Sequence, residues 1–418
     1  MRMRTIWAAA VAVAALTTGF TAAPAHAAAS ASAGAASAVA VASSASAGTV
    51  VTSASAATGA ARLAVPDNLS PEAQYLLDRL PEARARAEAV SEKLGLDTTL
   101  QRALINAIDP TQYECSNATP PVVAAIMAPA AKWNFEQLLA ALHVLIYNMA
   151  LIDAAYLPQT GPFSYGPHGE YTNAVTHTYR DLRNFWDIPS GDIELVPAHG
   201  RAMLDPELNY RVFTKVYGLA DAPSRVSADF VAKQLNSEAM GYGDLPMFTF
   251  NAYAAPGEVL PGIGQTPKRI AFGDGVMAGF DLVGLGDVAP KAILAHEFGH
   301  HIQFADNLMR TDLPAPEASR WAELSADAFS SYFLTHARGT AMQWKRVQLF
   351  SQLFYQIGDC GFTVEGHHGT PTQRMRSALW AYNVGNSARP QGHILPALTF
   401  FDLFKAQYPQ LIAPDAPN

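Results

Sequence analysis

Residues 295–303 read AHEFGHHIQ and decide how this chain is interpreted. Within them, His296, Glu297 and His300 form the pattern H-E-x-x-H. On a helix, residues four apart share a face, so both imidazoles can reach one metal ion. Glu297 lies beside that face, where its carboxylate can take a proton from a water molecule. Neutral imidazoles bind Zn²⁺ tightly, so the pattern predicts a zinc site with Glu297 as general base.

The residues around this pattern favour a buried helix. Ala289, Ala292, Ile293, Ala295 and Ile302 surround the motif. The alternative is a core helix that carries two incidental histidines and a glutamate. Burying these polar groups without a metal ion would be costly, so the zinc interpretation is preferred.

Two histidines leave a zinc site one ligand short, and the next helix can supply the third. Glu323 follows His300 by 23 residues, which is enough for a helix to end, turn and return. Asp327 lies four residues after Glu323, on the same helix face, and can hydrogen-bond the free nitrogen of a ligating histidine. The main competitor is His301, but it is turned about 100° from His300 on a helix.

Three strings, at 295–303, 323–327 and 368–374, resemble the bacterial neutral zinc metallopeptidase family and, more distantly, the thermolysin-like gluzincins. They read AHEFGHHIQ, ELSAD and HGTPTQR. The similarity covers roughly residues 268–384 and leaves 66–260 unexplained. It implies the following roles: His296, His300 and Glu323 as zinc ligands, Glu297 as general base, and Asp327 as the partner of a ligating histidine.

Peptide hydrolysis also needs a donor for the oxyanion that forms on attack. His368 is the favoured candidate because it lies in a glycine-flanked loop that can reach into a cleft. The other candidates are Arg374, Tyr332 and His336. Alternatively, His368 is an exposed loop residue or caps the helix that begins near Pro371.

Composition and charge narrow the class of protein. The chain has 418 residues, and 28 Lys and Arg against 36 Asp and Glu give a net charge of −8. Nucleic-acid binders usually carry a basic excess, so no nucleic-acid partner is expected. Hydrophobic residues make up 50% and charged residues 15%, which predicts a sizeable core.

The N-terminus is typical of an exported protein. Residues 1–27 combine Arg2 and Arg4, an apolar run and an Ala-His-Ala cleavage pattern, which predicts a secretory signal peptide. Residues 28–65 are rich in alanine and serine and predict a linker or pro-segment. We therefore expect a secreted or periplasmic protein without stable membrane insertion. In such a compartment Cys115 and Cys360 can pair.

The remaining patterns predict an α+β fold. A helical N-terminal region, 66–160, precedes a zincin-like metallopeptidase domain, 161–418, which is mostly helical with a small sheet. One long helix is expected at 133–157. Its one histidine, His143, is interpreted as a satisfied core residue and not as a ligand. Predicted strands and later helices follow: strands 193–197, 210–217, 247–253 and 268–272; helices 288–307, 316–336, 341–357, 371–382 and 395–408.

The sequence as a whole indicates a secreted zinc-dependent metallopeptidase that acts on a protein or peptide. Two alternatives stay open. One is a non-catalytic, zinc-stabilised envelope or binding protein, and the other is a metallohydrolase that cleaves a non-peptide amide. The sequence defines neither the cleavage preference nor the oligomeric state.

Overall fold

Most of the described chain is helical, with a small number of short strands. The computed structural model describes residues 65–96, 98, 101–102, 104–105, 120–310, 312–356, 369–388 and 392–413. The helices are α1 (Pro71–Asp78), α2 (Leu80–Lys93), α3 (Pro121–Met127), α4 (Phe135–Tyr147), α5 (Met149–Tyr156), α6 (Thr172–Phe185), α7 (Pro206–Arg211), α8 (Asp221–Leu235), α9 (Asp274–Asp281), α10 (Ala289–Ala305), α11 (Ala315–Thr335), α12 (Trp344–Gln356), α13 (Pro371–Ala388) and α14 (Ala397–Leu411). The strands are β1 (Ile193–Ala198), β2 (Ala252–Pro256), β3 (Val259–Leu260), β4 (Gly264–Gln265) and β5 (Lys268–Gly273).

The main sheet is mixed and has the strand order β1-β5-β2. β1 runs parallel to β5, with Ile193 opposite Lys268. β2 runs antiparallel to β5, with Ala252 opposite Phe272. β3 and β4 form a separate two-stranded hairpin. The prediction of a mostly helical α+β protein with a small sheet is confirmed at this level.

The sheet is covered by helices from distant parts of the chain. α5 packs against all three strands, whereas α10 contacts β2 and β5. α10 also packs against α6 and α11, and α11 packs against α13. A single cluster of buried apolar side chains extends from Ala73 in α1 to Leu411 in α14. Helix α10, which carries His296 and His300, is therefore enclosed by the sheet and by other helices.

The segment predicted as one helix at 133–157 forms two, α4 and α5. Asn148 separates them in a left-handed conformation with φ of 45°, which asparagine tolerates better than most residues. Its side chain also donates a hydrogen bond to the Tyr253 hydroxyl. The 22-residue stretch Phe135–Tyr156 has the length and apolarity of a membrane span, yet its most apolar window is entirely buried inside the protein.

Two of the predicted strands are wrong. At 210–217 the chain forms the end of α7 and a π-helical turn, Val212–Val216. The helix is started by Asp205, whose carboxylate accepts the amide proton of Glu207 at 2.9 Å, and by Pro206 at the first position. The bulky and β-branched residues there pack in the core as helix rather than strand. At 247–253 only the last two residues enter β2, because Pro246–Thr249 is a 3₁₀ turn.

Other local predictions are confirmed. Ser70 caps α1, with its hydroxyl accepting the Ala73 amide proton at 3.2 Å and Pro71 at the first helical position. β1, β5 and the five C-terminal helices lie where their patterns predicted them. Several predictions lie outside the described residues: the signal peptide, most of the alanine-rich segment, the pairing of Cys115 with Cys360, and the placement of His368. The boundary between 66–160 and 161–418 stays a prediction.

Candidate metal centre

The site is built where α10 and α11 approach each other closely. Pro290 lies in the first turn of α10, where its missing amide proton costs nothing. Gly299 faces α11, and a β-carbon at this position would lie 3.1 Å from the Ala326 α-carbon. A glycine at this crossing lets the two backbones approach closely. Glu323 and Asp327 of α11 therefore reach His296 of α10.

Three ligand groups converge at this crossing. His296 Nε2 lies 3.2 Å from His300 Nε2 and 3.3 Å from Glu323 Oε2, and His300 Nε2 lies 3.6 Å from Glu323 Oε1. Ligands bound tetrahedrally to zinc at about 2.0 to 2.2 Å are separated by roughly 3.3 to 3.6 Å. The three side chains therefore fit a metal ion the size of Zn²⁺, and the group could bind a metal.

His296 is held by a charged network. Its Nδ1 lies 3.0 Å from Asp327 Oδ1. Arg374 binds Asp327 through two hydrogen bonds of 2.7 and 2.8 Å and also donates to Glu323 Oε2 at 3.3 Å. Burial by itself lowers the pKa of His296, but the hydrogen bonds and charges of Asp327 and Glu323 raise it to about 10. The predicted contact between Asp327 and a ligand histidine is thus present.

His300 is held by a neutral residue, Gln303. His300 Nδ1 lies 3.0 Å from Gln303 Oε1. The amide nitrogen of Gln303 donates to the Ala322 carbonyl at 2.7 Å and to Ser325 Oγ at 2.8 Å. Gln303 is only 1% exposed. One side chain of α10 therefore connects a ligand histidine with the backbone of α11.

His301, the competing ligand, faces away from the cluster. Its Nε2 lies 2.9 Å from the carbonyl oxygen of Arg269 in β5. Burial lowers its pKa to about 4, which keeps the imidazole neutral. The turn of about 100° between consecutive helical residues explains why His300 reaches the cluster and His301 reaches the sheet.

The predicted base, Glu297, lies in the same turn of α10 as the ligand histidines and is 7% exposed. Its burial next to the cluster is compatible with a role in proton transfer. The cluster is most open at His300, whose side chain is 13% exposed, against 7% for His296.

Three of the four oxyanion-donor candidates are described, and each has other partners. Arg374 is bound to Asp327 and Glu323. The Tyr332 hydroxyl accepts the Leu395 amide proton at 3.0 Å. His336 accepts the Arg338 amide proton on Nδ1 and donates from Nε2 to the His393 carbonyl, at 3.1 and 2.9 Å. The fourth, His368, precedes Gly369, the residue at which the described chain resumes.

Sequence reasoning missed two parts of this site. Gln303 was not assigned a role, although its spacing of three residues from His300 places both on one helix face. Arg374 was considered as an oxyanion donor, whereas it binds the two carboxylates of α11. Its position four residues into α13 gave no sign of this contact, which depends on how α13 packs against α11.

Comparison with known proteins does not assign the chain to a family. No protein-family model matches the chain, and neither curated proteins nor solved structures give a significant match.

Proposed function

We propose that the protein is an exported zinc-dependent metallopeptidase. The observation that carries the proposal is the convergence of His296, His300 and Glu323 in a buried cluster, with Glu297 in the same helical turn. Two imidazoles and one carboxylate are a ligand set found in catalytic zinc sites of peptidases. The export signal inferred from residues 1–27 supports the assignment to an extracytoplasmic compartment.

The number of ligands favours catalysis over a purely structural metal. Structural zinc sites are usually closed by four protein ligands, whereas catalytic sites use three and keep one position open. Within the described residues, the cluster contains three ligand groups. His300 has the most exposed side chain of the three groups, at 13%.

The proposed mechanism divides the work among the residues of α10 and α11. His296, His300 and Glu323 hold the metal ion, which when bound supplies Lewis acidity that polarises a carbonyl and acidifies water. Glu297 takes the proton from the attacking water and delivers it to the amine that leaves. Asp327 and Arg374 hold His296 and Glu323 in place. Peptide or protein is the proposed substrate class.

We also propose that the fold is zincin-like. In support of this proposal, the H-E-x-x-H helix α10 lies against a small mixed sheet, and the following helix α11 supplies the acidic ligand. The resemblance of 295–303, 323–327 and 368–374 to a metallopeptidase family points the same way.

A digest of casein or mixed peptides by the purified protein tests the proposal. The protein is loaded with Zn²⁺, and cleavage is measured by mass spectrometry with and without a chelator. The proposal predicts cleavage that the chelator abolishes and added Zn²⁺ restores. Tight zinc binding without cleavage would favour the non-catalytic alternative, and cleavage of a cell-wall amide alone would favour the non-peptide hydrolase.

A further inference from the structure

We propose that Gln303 is a positioning residue of the metal centre. Its amide holds His300 with the proton on Nδ1, so that Nε2 presents its lone pair to the metal. The inference rests on the metal site proposed above and is independent of whether that site cleaves peptides.

The orientation of the Gln303 amide is fixed by its surroundings. The Ala322 carbonyl oxygen, 2.7 Å away, can only accept, so the group facing it must be the amide nitrogen. Ser325 Oγ accepts the second amide proton at 2.8 Å while its own proton points to the Trp321 carbonyl at 2.9 Å. A flipped amide would set its oxygen against the carbonyl oxygen of Ala322. Gln303 Oε1 therefore faces His300.

This orientation determines which nitrogen of His300 carries the proton. Gln303 Oε1 can only accept, and His300 Nδ1 lies 3.0 Å from it. Nδ1 must therefore be the protonated nitrogen of a neutral His300, and Nε2 is left with its lone pair. It is His300 Nε2 that lies 3.2 Å from His296 Nε2 and 3.6 Å from Glu323 Oε1.

Both histidines of the motif are held through Nδ1, but by different partners. Asp327 accepts from His296 Nδ1 with a carboxylate, whereas Gln303 accepts from His300 Nδ1 with a neutral amide. A second carboxylate in place of Gln303 would add charge to a site that already contains Glu323 and Asp327, both buried. Gln303 also joins α10 to α11, so it fixes His300 relative to the helix that carries Glu323.

Two substitutions at Gln303 separate positioning from stability. Gln303→Met removes the acceptor for His300 and both donors to α11. Gln303→Glu keeps an acceptor oxygen for His300, and as a neutral carboxylic acid it keeps one donor, its hydroxyl, for the Ala322 carbonyl. Gln137→Met is the matched control, because Gln137 is 9% exposed and bonds Asn134 and Ser237 far along the chain from the metal centre.

Zinc affinity is measured by competition with a chromophoric chelator, and the ligand geometry by the visible spectrum of the Co²⁺-substituted protein. Removing a residue that orients a metal ligand typically lowers affinity about 10 to 100-fold. We expect that loss and an altered Co²⁺ spectrum for Gln303→Met. We expect near-wild-type affinity for Gln303→Glu and Gln137→Met, while all three variants lose thermal stability.

Wild-type zinc affinity in Gln303→Met would overturn the inference, as would an equal loss in Gln303→Glu. If Gln303→Met does not fold, Gln303→Glu decides alone: near-wild-type zinc affinity supports the inference, and a loss of about 10 to 100-fold overturns it. A wild-type protein that binds no Zn²⁺ would refute the metal site together with this inference. A wild-type protein that binds Zn²⁺ but cleaves no peptide would refute the peptidase alone.

Discussion

Two helix pairs, α4–α5 and α10–α11, can be compared because each contains a buried histidine and a buried aspartate. In both pairs an arginine binds the aspartate. Asp153 is bound by Arg211 through hydrogen bonds of 2.6 and 2.8 Å, much as Asp327 is bound by Arg374. The histidines differ. Among the described residues, His143 bonds the Leu139 carbonyl of its own helix, and burial lowers its pKa to about 4. Carboxylates raise the pKa of His296 to about 10 despite its burial.

The comparison separates a buried histidine of the core from one that belongs to the proposed metal site. Burial alone drives His143 to the neutral form and leaves it as part of the core. At His296, three further polar groups converge from one turn and one neighbouring helix. Within the described residues, Arg374 and His296 bind the carboxylates of Glu323 and Asp327, so the charges of this cluster have partners. The two helix pairs therefore differ in the convergence of polar groups on one histidine, and not in burial.

The largest effect is expected for Glu323→Ala, which removes a ligand. Losing the hydrogen-bond partner of a metal ligand typically lowers affinity about 10 to 100-fold, and losing the ligand itself should lower zinc affinity further. Glu317→Ala is the control on the same helix, because Glu317 is only partly buried and bonds Arg320 one turn away. Zinc titration of both variants is the measurement. Unchanged affinity in Glu323→Ala would transfer the third ligand role to another residue.

The paired substitutions Asp327→Asn and Asp153→Asn test the comparison directly. Each breaks a buried aspartate–arginine pair, which costs about 3 to 5 kcal/mol when both partners are buried. Arg374 is buried and Arg211 is partly exposed, so the Asp153 variant should lose less stability. Zinc affinity should fall about 10 to 100-fold in Asp327→Asn alone.

Denaturant unfolding measures the loss of stability in each variant, and zinc titration measures the change in zinc affinity. Equal zinc affinities would mean that Asp327, like Asp153, serves the fold only.

The pH dependence of the free energy of unfolding tests the interpretation of His143 in the α4–α5 pair. The pKa of His143 is about 4 in the folded protein and near 6.5 when unfolded, so the unfolded chain takes up the proton first as the pH falls. The contribution of His143 to the free energy of unfolding is fully present above pH 6.5 and is lost as the pH falls from 6.5 to about 4. The full difference corresponds to roughly 3 kcal/mol.

His143→Gln should remove this part of the pH dependence. Unfolding free energies of both proteins are measured by urea titration from pH 7.5 to pH 4. Identical slopes in this range would show that His143 takes up a proton in the folded state without cost.

The sequence predicted the convergence of His296, His300 and Glu323 better than it predicted the elements in the middle of the chain. The spacing of His296 and His300 is a property of one helix, and Glu323 with Asp327 is a property of the next, so both were visible locally. The role of Arg374 was missed because its partners lie on another helix, α11. Gln303 shares a helix with His300, but the bonds that fix its amide also go to α11. Hydrogen-bond partners of this kind follow from helix packing, which a single sequence does not encode in any local pattern.

The fold was predictable in class but not in every element. The residues at 210–217 combine β-branched and aromatic side chains, which favour strands, yet the capping residues Asp205 and Pro206 start a helix. The break at Asn148 was missed because the apolar pattern continues across it. The long C-terminal helices were found because their periodic patterns extend over several turns.

Turnover and zinc content of Glu297→Gln test the central proposal most directly. The carboxamide keeps the size of the side chain but cannot accept the proton of the attacking water. The proposal predicts that the variant binds Zn²⁺ as tightly as the wild-type protein and cleaves peptides about 10² to 10⁴-fold more slowly. Cleavage at the wild-type rate by the zinc-loaded variant would contradict the assignment of Glu297 as general base and the mechanism built on it.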